Sequence, residues 1–292
     1  MIELVELVLD AKATLGEGPC WDSEKQLMYW VDILEKKVNV FNPATNENRE
    51  IQLDQYVGAI TLRKNNEAVV VLENGFYELD LETGKVTLID EPESHLPKNR
   101  FNDGKCDPAG CFWAGTMSMV NEKEQGALYC LDTNRNVHKK VDKVGISNGI
   151  AWSPDHKFMY YIDTLTRKVC RFHYHAETGE IQNRTDIISI PNSEGLPDGM
   201  TIDEEGMLWI AHWGGSQVSR WNPHTGEQID SFNVPALNVT SCAFGGIELN
   251  ELYITTARNG MTEEQLTDYP LSGGLFKLKT NVKGSPSYTF RG

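Results

Sequence analysis

An all-β fold, a six-bladed β-propeller, is what this sequence predicts, and two observations carry the prediction. The first is a repeat. An oxygen-bearing side chain followed by Gly and then a short apolar run occurs at Glu17-Gly18, Asp103-Gly104, Asn148-Gly149 and Asp198-Gly199. Val57-Gly58-Ala59-Ile60 keeps the phase with an apolar residue, and Ser241-Cys242-Ala243-Phe244 keeps it without the Gly. Positions 17, 57, 103, 148, 198 and 241 are separated by 40, 46, 45, 50 and 43 residues, and six copies of a unit too small to stand alone are expected to close on one another. The second observation is the pattern inside each copy: β-branched and aromatic residues alternate over short runs bounded by Gly, Asn, Asp and Pro, which reads as strands. Four such strands per unit make a propeller blade, and radial repetition protects the sheet edges.

The first copy offers an inner strand over Gly18 to Asp22, a second over Leu27 to Asp32, a third over Lys37 to Phe41, and a turn at Asn42-Pro43-Ala44-Thr45-Asn46. The second has Ala59 to Arg63, Ala68 to Leu72, Gly75 to Leu79 and the turn Glu82 to Lys85; the third has Gly104 to Asp107, Cys111 to Gly115, Gly126 to Leu131 and the turn Thr133 to Asn136. In the fourth, Phe158-Met159-Tyr160-Tyr161-Ile162-Asp163 restates the Tyr29-Trp30-Val31-Asp32 of the first, before the turn Glu177 to Glu180. The fifth has Met207 to Ala211, Gln217 to Trp221 and His224 to Glu227, and the sixth Glu251 to Thr256, Gly274 to Leu278 and a weaker turn near Thr280. Threonine marks this turn in all six. The inner strand of the fifth copy is expected to follow a tight turn at Leu196-Pro197-Asp198-Gly199. Residues 1–292 are thus read as one domain, with Ile2 to Leu9 free to supply the outer strand of the last blade. Residues 118 to 125 and 259 to 273 interrupt the rhythm and read as solvated connections at the mouth of the scaffold.

Composition excludes several function classes. Lys plus Arg is 27 and Asp plus Glu is 42, a net charge of -15, which disfavours nucleic acid and anionic membrane surfaces as partners. The longest apolar runs fall far short of the ~20 residues of a membrane span. Acids at Glu3 and Glu6 replace the basic start of a signal peptide. The six cysteines form no CxxC pair and lie in apolar strand patterns, as reduced buried thiols do. A cytoplasmic location is expected.

In a propeller the inner strands line the central channel, so Glu17, Asp103, Asn148 and Asp198, with Asn102 one position earlier, are expected to converge. Such carboxylates repel one another unless protonated or bound to a cation. All the donors are oxygens, which suits Ca²⁺, Mg²⁺ or Mn²⁺, while Zn²⁺ also accepts carboxylates. One divalent ion is the expected cofactor. His212, where a second strand ends, reads equally well as a pocket contact or as packing, and Trp21, Trp30, Trp113, Trp152 and Trp209 read as blade-to-blade core. Ser118 and Ser147 lack the context of a nucleophile elbow, and no phosphate loop is present.

Leu15-Gly16-Glu17-Gly18-Pro19, Asn99 to Lys105, Ala114-Gly115-Thr116-Met117, Gln125 to Tyr129, Ile146-Ser147-Asn148-Gly149, Tyr160 to Asp163 and Leu196 to Met200, in that order, resemble the senescence marker protein, gluconolactonase and regucalcin family. The resemblance runs from about residue 13 to Gly292. It implies a six-bladed propeller and a metal-dependent lactonase acting on small sugar lactones. Glu17, Asn148 and Asp198 are implied as metal ligands, Asp198 also as general base, and Arg100 and Asn102 as holding substrate oxygens. Asp103 is then placed behind the ligands. Members of the regucalcin type use a Glu after Gly-Thr-Met to bind sugar; Ser118-Met119-Val120-Asn121 stands here, so the preferred lactone is expected to differ. A calcium-binding regulatory protein without significant turnover, or a propeller that binds another protein, is the alternative.

Overall fold

A computed structural model describes residues 4–64 and 66–292. The first strand, β1 (Val5–Leu9), stands apart in the chain from its own sheet; the rest run in order. Blade 1 holds β2 (Gly16–Asp22), β3 (Leu27–Asp32), β4 (Lys37–Asn42) and β5 (Glu47–Gln52), and blade 2 holds β6 (Ala59–Leu62), β7 (Glu67–Val71), β8 (Phe76–Asp80) and β9 (Val86–Asp90). Blade 3 has β10 (Asn99–Cys106), β11 (Phe112–Ser118), β12 (Gly126–Leu131) and β13 (Val137–Val144); blade 4 has β14 (Ser147–Trp152), β15 (Phe158–Asp163), β16 (Lys168–His175) and β17 (Glu180–Ser189). Blade 5 has β18 (Leu196–Ile202), β19 (Leu208–Trp213), β20 (Gln217–Trp221) and β21 (Gln228–Asn233), and β22 (Asn238–Gly245), β23 (Glu251–Ala257) and β24 (Leu275–Lys279) make up three strands of blade 6. All six sheets are antiparallel and five are meanders of consecutive strands, and the inner strands β2, β6, β10, β14, β18 and β22 each touch the next around a closed ring. The predicted six-bladed propeller is the fold observed.

Burial follows the radius. Inner β14 is buried along its length, whereas outer β9 is almost wholly exposed. The tryptophans fill the gaps between blades as expected: Trp113 meets Trp152 edge-on across blades 3 and 4, Trp209 meets Phe244 across blades 5 and 6, and Trp21 stacks on Tyr253 across blades 1 and 6. Two inner strands end in a buried carboxylate that takes an indole N–H from the next strand, Asp107 from Trp113 at 2.8 Å and Asp203 from Trp209 at 2.9 Å. The repeated threonine has a local cause: its hydroxyl accepts the N–H two residues on, at 3.3–3.4 Å for Thr45, Thr83, Thr178 and Thr225, which shapes the link to the outer strand.

The ring is closed by β1, which pairs antiparallel with β24 from Val5↔Leu278 to Leu9↔Leu275. Of the expected closing segment, Ile2 and Glu3 lie outside the described residues. Removing residues 1–9 strips half-buried Val5, Val8 and Leu9 from two core clusters and leaves β24 as a bare edge. At ~1 kcal/mol for each half-buried aliphatic, we expect the truncated chain to melt roughly 5–10 °C lower in a calorimetric scan.

Three features depart from the sequence reading. A short helix, α1 (Glu263–Asp268), occupies the second insert, and its capping box, Thr262 with Gln265, is written in the sequence. Leu196-Pro197-Asp198-Gly199 is not a turn; it lies inside β18. The C-terminal residues cross the far end of the channel from blades 5 and 6 to blades 2 and 3, with Glu204 donating to the Lys283 carbonyl at 2.8 Å, Gly284 to Leu249 at 2.7 Å, Phe290 to Leu62 at 2.9 Å and Arg291 to Gly110 at 3.0 Å. Ser285 to Tyr288 thereby cover a small cavity of about 60 Å³ beneath the hub.

Candidate active site

The inner strands do not run straight past the axis. In β14 the ladder to β15 breaks between Ser147 and Ile150, leaving Asn148 and Gly149 unmatched; in β18 it breaks between Pro197 and Met200, leaving Asp198 and Gly199. A bulge of this kind bends a strand and re-aims a side chain. The glycine that follows supplies space and no special turn geometry. A Cβ on Gly199 would stand 2.1 Å from the Ser241 hydroxyl of blade 6, and one on Gly149 would stand 2.6 Å from the Met200 Cβ of blade 5. The Gly of Asn148-Gly149 and of Asp198-Gly199 therefore marks where adjoining inner strands come close, whereas Gly104 clears Trp113 and Ala114 of its own blade.

In β10 the break falls between Phe101 and Gly104, so the unmatched pair is Asn102 and Asp103. Relative to its glycine the bulge sits one residue earlier, and a one-residue slip turns a side chain to the other face. Asn102, not Asp103, takes the phase of Asn148 and Asp198. Glu17, Arg100, Asn102, Asn148 and Asp198 all line one cavity of about 270 Å³, with Leu15, Met117, Ile146, Leu196 and Trp213 as its apolar wall. Asp103 is buried outside that wall, its carboxylate accepting the Gly104 N–H at 2.7 Å. Both inserts read as solvated connections reach the cavity, through Asn121 and Asn259.

Hydrogen bonds fix the amides. An Nη of Arg100 donates to the Phe101 carbonyl at 2.9 Å and to Asn102 Oδ1 at 2.7 Å. Asn102 Nδ2 donates to the Ser147 carbonyl at 2.8 Å and to Asn148 Oδ1 at 3.2 Å, so the Asn148 oxygen is the end turned toward Asn102. Electrostatics then sets the site's appetite. Burial, the neighbouring Asp103 carboxylate and only partial relief from the Gly18 N–H and Arg100 raise the Glu17 pKa to about 8. Burial, then Glu17 and Asp103, push Asp198 well above the ordinary carboxylate range despite Arg100 and Asn148. Burial lowers Arg100 to about 10 and also lowers Lys105, whose Nζ donates to the Met200 carbonyl at 2.6 Å below the hub.

The second strands hold the lead-in to each of these positions. The residue paired with the one before Glu17 is Asp32, the one before Asn148 pairs with Asp163, and the one before Asp198 pairs with His212. Asp32 accepts from the N–H groups of Thr14 at 2.8 Å and Leu15 at 3.0 Å, and Asp163 from Gly145 at 3.0 Å and Ile146 at 3.1 Å. His212 makes the reciprocal bond, its Nδ1–H donating to the Glu194 carbonyl at 2.7 Å while Nε2 accepts from Ser219 at 2.5 Å. It is fully buried, outside the cavity wall, with burial lowering its pKa to about 4. Of the two readings of His212, packing is the one the geometry carries. The repeated Tyr-Trp-Val-Asp motif thus has a reason: its Asp is a buckle.

Among the described residues no three His, Cys, Asp or Glu side chains form a metal cluster; in the trio Glu17, Asn148 and Asp198 the third donor is an amide oxygen. The donor set still fits a hard divalent cation, because two buried carboxylates of raised pKa face one cavity, beside an amide whose oxygen end is held in place.

Residues 15–258 match the signature of the SMP-30/Gluconolactonase/LRE-like region. The chain belongs to this family. It is 41% identical to the protein named "Putative sugar lactone lactonase YvrE" of Bacillus subtilis over 98% of both chains. It is 40% identical to regucalcin of Gallus gallus over 99% of this chain and 98% of that one. Among solved structures, a calcium-binding regucalcin of Agrobacterium tumefaciens superimposes with a TM-score of 0.95 at 30% identity, covering 99% and 98% of the two chains. Family members therefore include proteins named for lactone hydrolysis and proteins named for calcium.

Proposed function

We propose that this chain is a divalent-cation-dependent lactonase that opens sugar lactones. The observation that carries the reading is the convergence of Glu17, the Asn148 oxygen and Asp198 beside Arg100 and Asn102 in one cavity large enough for a small ring. Glu17, Asn148 and Asp198 would hold the cation, which when bound supplies a Lewis acid for the ester carbonyl. The remaining work belongs to the chain. Arg100 and Asn102 orient the lactone's oxygens, the apolar wall of Leu15, Met117, Ile146 and Trp213 takes its carbon face, and the covered far end leaves substrate one way in. Asp198, which must be ionised to hold the cation, would accept the proton of the attacking water through a carboxylate oxygen. The relative named as a sugar lactone lactonase supports this substrate class.

The second reading, a calcium-binding protein without turnover, is favoured by the names of the regucalcin relatives. Adding sugar lactones with and without chelator separates the two: chelator-sensitive ring opening supports the enzyme, and cation binding without turnover supports the alternative. Arg100→Ala is expected to raise KM by about tenfold to a hundredfold, the worth of one charge-assisted hydrogen bond, with a smaller change in kcat. An equal fall in kcat and kcat/KM at constant KM would show that Arg100 acts only in the transition state.

A further inference from the structure

Asn148 has an amide, and an amide offers a cation either a carbonyl oxygen or a pair of N–H groups that repel it. What decides between the two lies on the next strand. After β15 the chain makes a single 3₁₀ turn, Thr164–Thr166, whose first residue is buried and lines the cavity. Thr164 Oγ1 donates its one proton to the Pro197 carbonyl at 2.8 Å, an atom that can only accept. The hydroxyl oxygen is therefore left as an acceptor toward Asn148, and Asn148 Nδ2 donates to it at 2.8 Å. That bond commits one N–H of the amide to Thr164, the nitrogen's other side relieving the Asp198 carboxylate, and it turns the oxygen end into the cavity toward Asn102.

The turn that carries the hydroxyl is itself held from both sides. Asp163 caps it through the Leu165 N–H and also accepts from Gly145 and Ile146, the lead-in to β14. At its far end Arg167 takes φ 59° and its guanidinium donates to the carbonyls of Ile190, at 3.3 Å, and Pro191, at 2.7 Å, and to that of Gly195. Pro197 is the residue before Asp198. One hydroxyl thus ties the side chain presented by blade 4 to the backbone that presents the carboxylate of blade 5.

We propose that Thr164 is a positioning residue of the cation site, locking the Asn148 oxygen toward the hub and registering it against Asp198. The proposal rests on the cation-site reading above and adds to it a group that acts on the cation through Asn148 rather than directly. Groups that orient a ligand in this way change metal affinity by about 10- to 100-fold when removed. Thr164→Val keeps the shape and deletes the hydroxyl; Thr164→Ser keeps the hydroxyl and deletes the methyl.

The test is calorimetric titration of chelator-treated protein with Mn²⁺ and, separately, Ca²⁺, alongside the melting temperature of each metal-free protein. Thr164→Val is expected to weaken cation binding about 10- to 100-fold, and Thr164→Ser to bind within about threefold of the parent, a difference of less than one hydrogen bond. Wild-type affinity in Thr164→Val overturns the proposal, as does a serine variant as weak as the valine one, because the methyl and not the hydroxyl would then matter. If Thr164→Val does not fold without metal, Thr164→Ala, which lacks the hydroxyl and brings no second methyl against Pro197, takes its place in the same titration. A parent protein that binds neither ion sinks the cation reading itself, a result distinct from a parent that binds and a valine variant that binds equally.

Discussion

Asp198→Asn is expected to lower kcat/KM for a sugar lactone by about a thousandfold or more, and at the same time to raise the melting temperature of the metal-free protein. The first effect follows from the role assigned to the carboxylate. A general base contributes roughly 10²- to 10⁴-fold, and the same substitution takes one anionic donor from the cation, so the two losses compound. The second effect follows from the electrostatics of the hub without its cation. Burial raises the pKa of Glu17, Asp103 and Asp198, the Asp103 carboxylate adds to the shift of Glu17, and Glu17 and Asp103 add to that of Asp198; Arg100, Lys105 and the hydrogen bonds from Gly18, Gly104 and Asn148 offset this only in part. An amide of the same shape is neutral without taking up the proton that the buried carboxyl needs in order to fold. A site that is costly to the fold and needed for chemistry shows this opposed response; a carboxylate whose role was structural would lose stability on replacement. Steady-state kinetics on a sugar lactone and a thermal melt of the same sample read both. Turnover within tenfold of the parent would end the assignment of Asp198.

How much of this was legible beforehand depends on the distance over which each feature is encoded. The ring was legible because its signal is periodic: six copies of one phase and a threonine turn in each outweigh any single misjudged strand. Convergence of Glu17, Asn148 and Asp198 followed from that phase alone. What the phase did not resolve is a one-residue matter. Asp103-Gly104 matches Asn148-Gly149 letter for letter in type, yet Asn102 faces the cavity, because the bulge in β10 opens one residue earlier, and bulge placement is set by the partner strand. The tight turn expected at Pro197 and Gly199 failed for a related reason: Gly199 answers to the nearness of Ser241 on the next blade, a contact remote in sequence. Asn121 and Asn259 were hidden in segments with no periodicity at all. Asp32 and Asp163 were in plain view as the last letter of a repeated motif, but their task, holding N–H groups 17 or 18 residues upstream, becomes visible only once β3 and β15 are laid beside their inner strands.

The pH dependence of the metal-free protein supplies the other large effect. Glu17 is raised from 4.5 to about 8, and Asp198 and Asp103 are raised with it, so in the folded state these groups keep protons that the unfolded chain has already released. Stability then falls with rising pH wherever the folded state binds more protons. The contribution is fully present below the unfolded carboxylate range and is lost as pH climbs through about 8, the folded value for Glu17. Each group held protonated in this way is worth about 1.4 kcal/mol per pH unit across its window, so between pH 5 and pH 8 the metal-free protein is expected to lose several kcal/mol, a fall in melting temperature of roughly 10 °C. Cation binding requires the same carboxylates to be ionised and therefore displaces those protons. The stabilisation given by a fixed excess of Mn²⁺ or Ca²⁺, about 2.7 kcal/mol at a hundred times Kd, should accordingly be small at pH 5 and large at pH 8, where the ion offsets what deprotonation removes. Glu17→Gln should flatten the metal-free slope and weaken the cation's effect together, since one side chain is responsible for both. Melts at pH 5, 6, 7 and 8 with chelator or with excess cation decide it: a metal-free melting temperature that does not fall over this range, or a cation-induced rise of equal size at pH 5 and pH 8, would mean that the buried carboxylates are not where the cation binds.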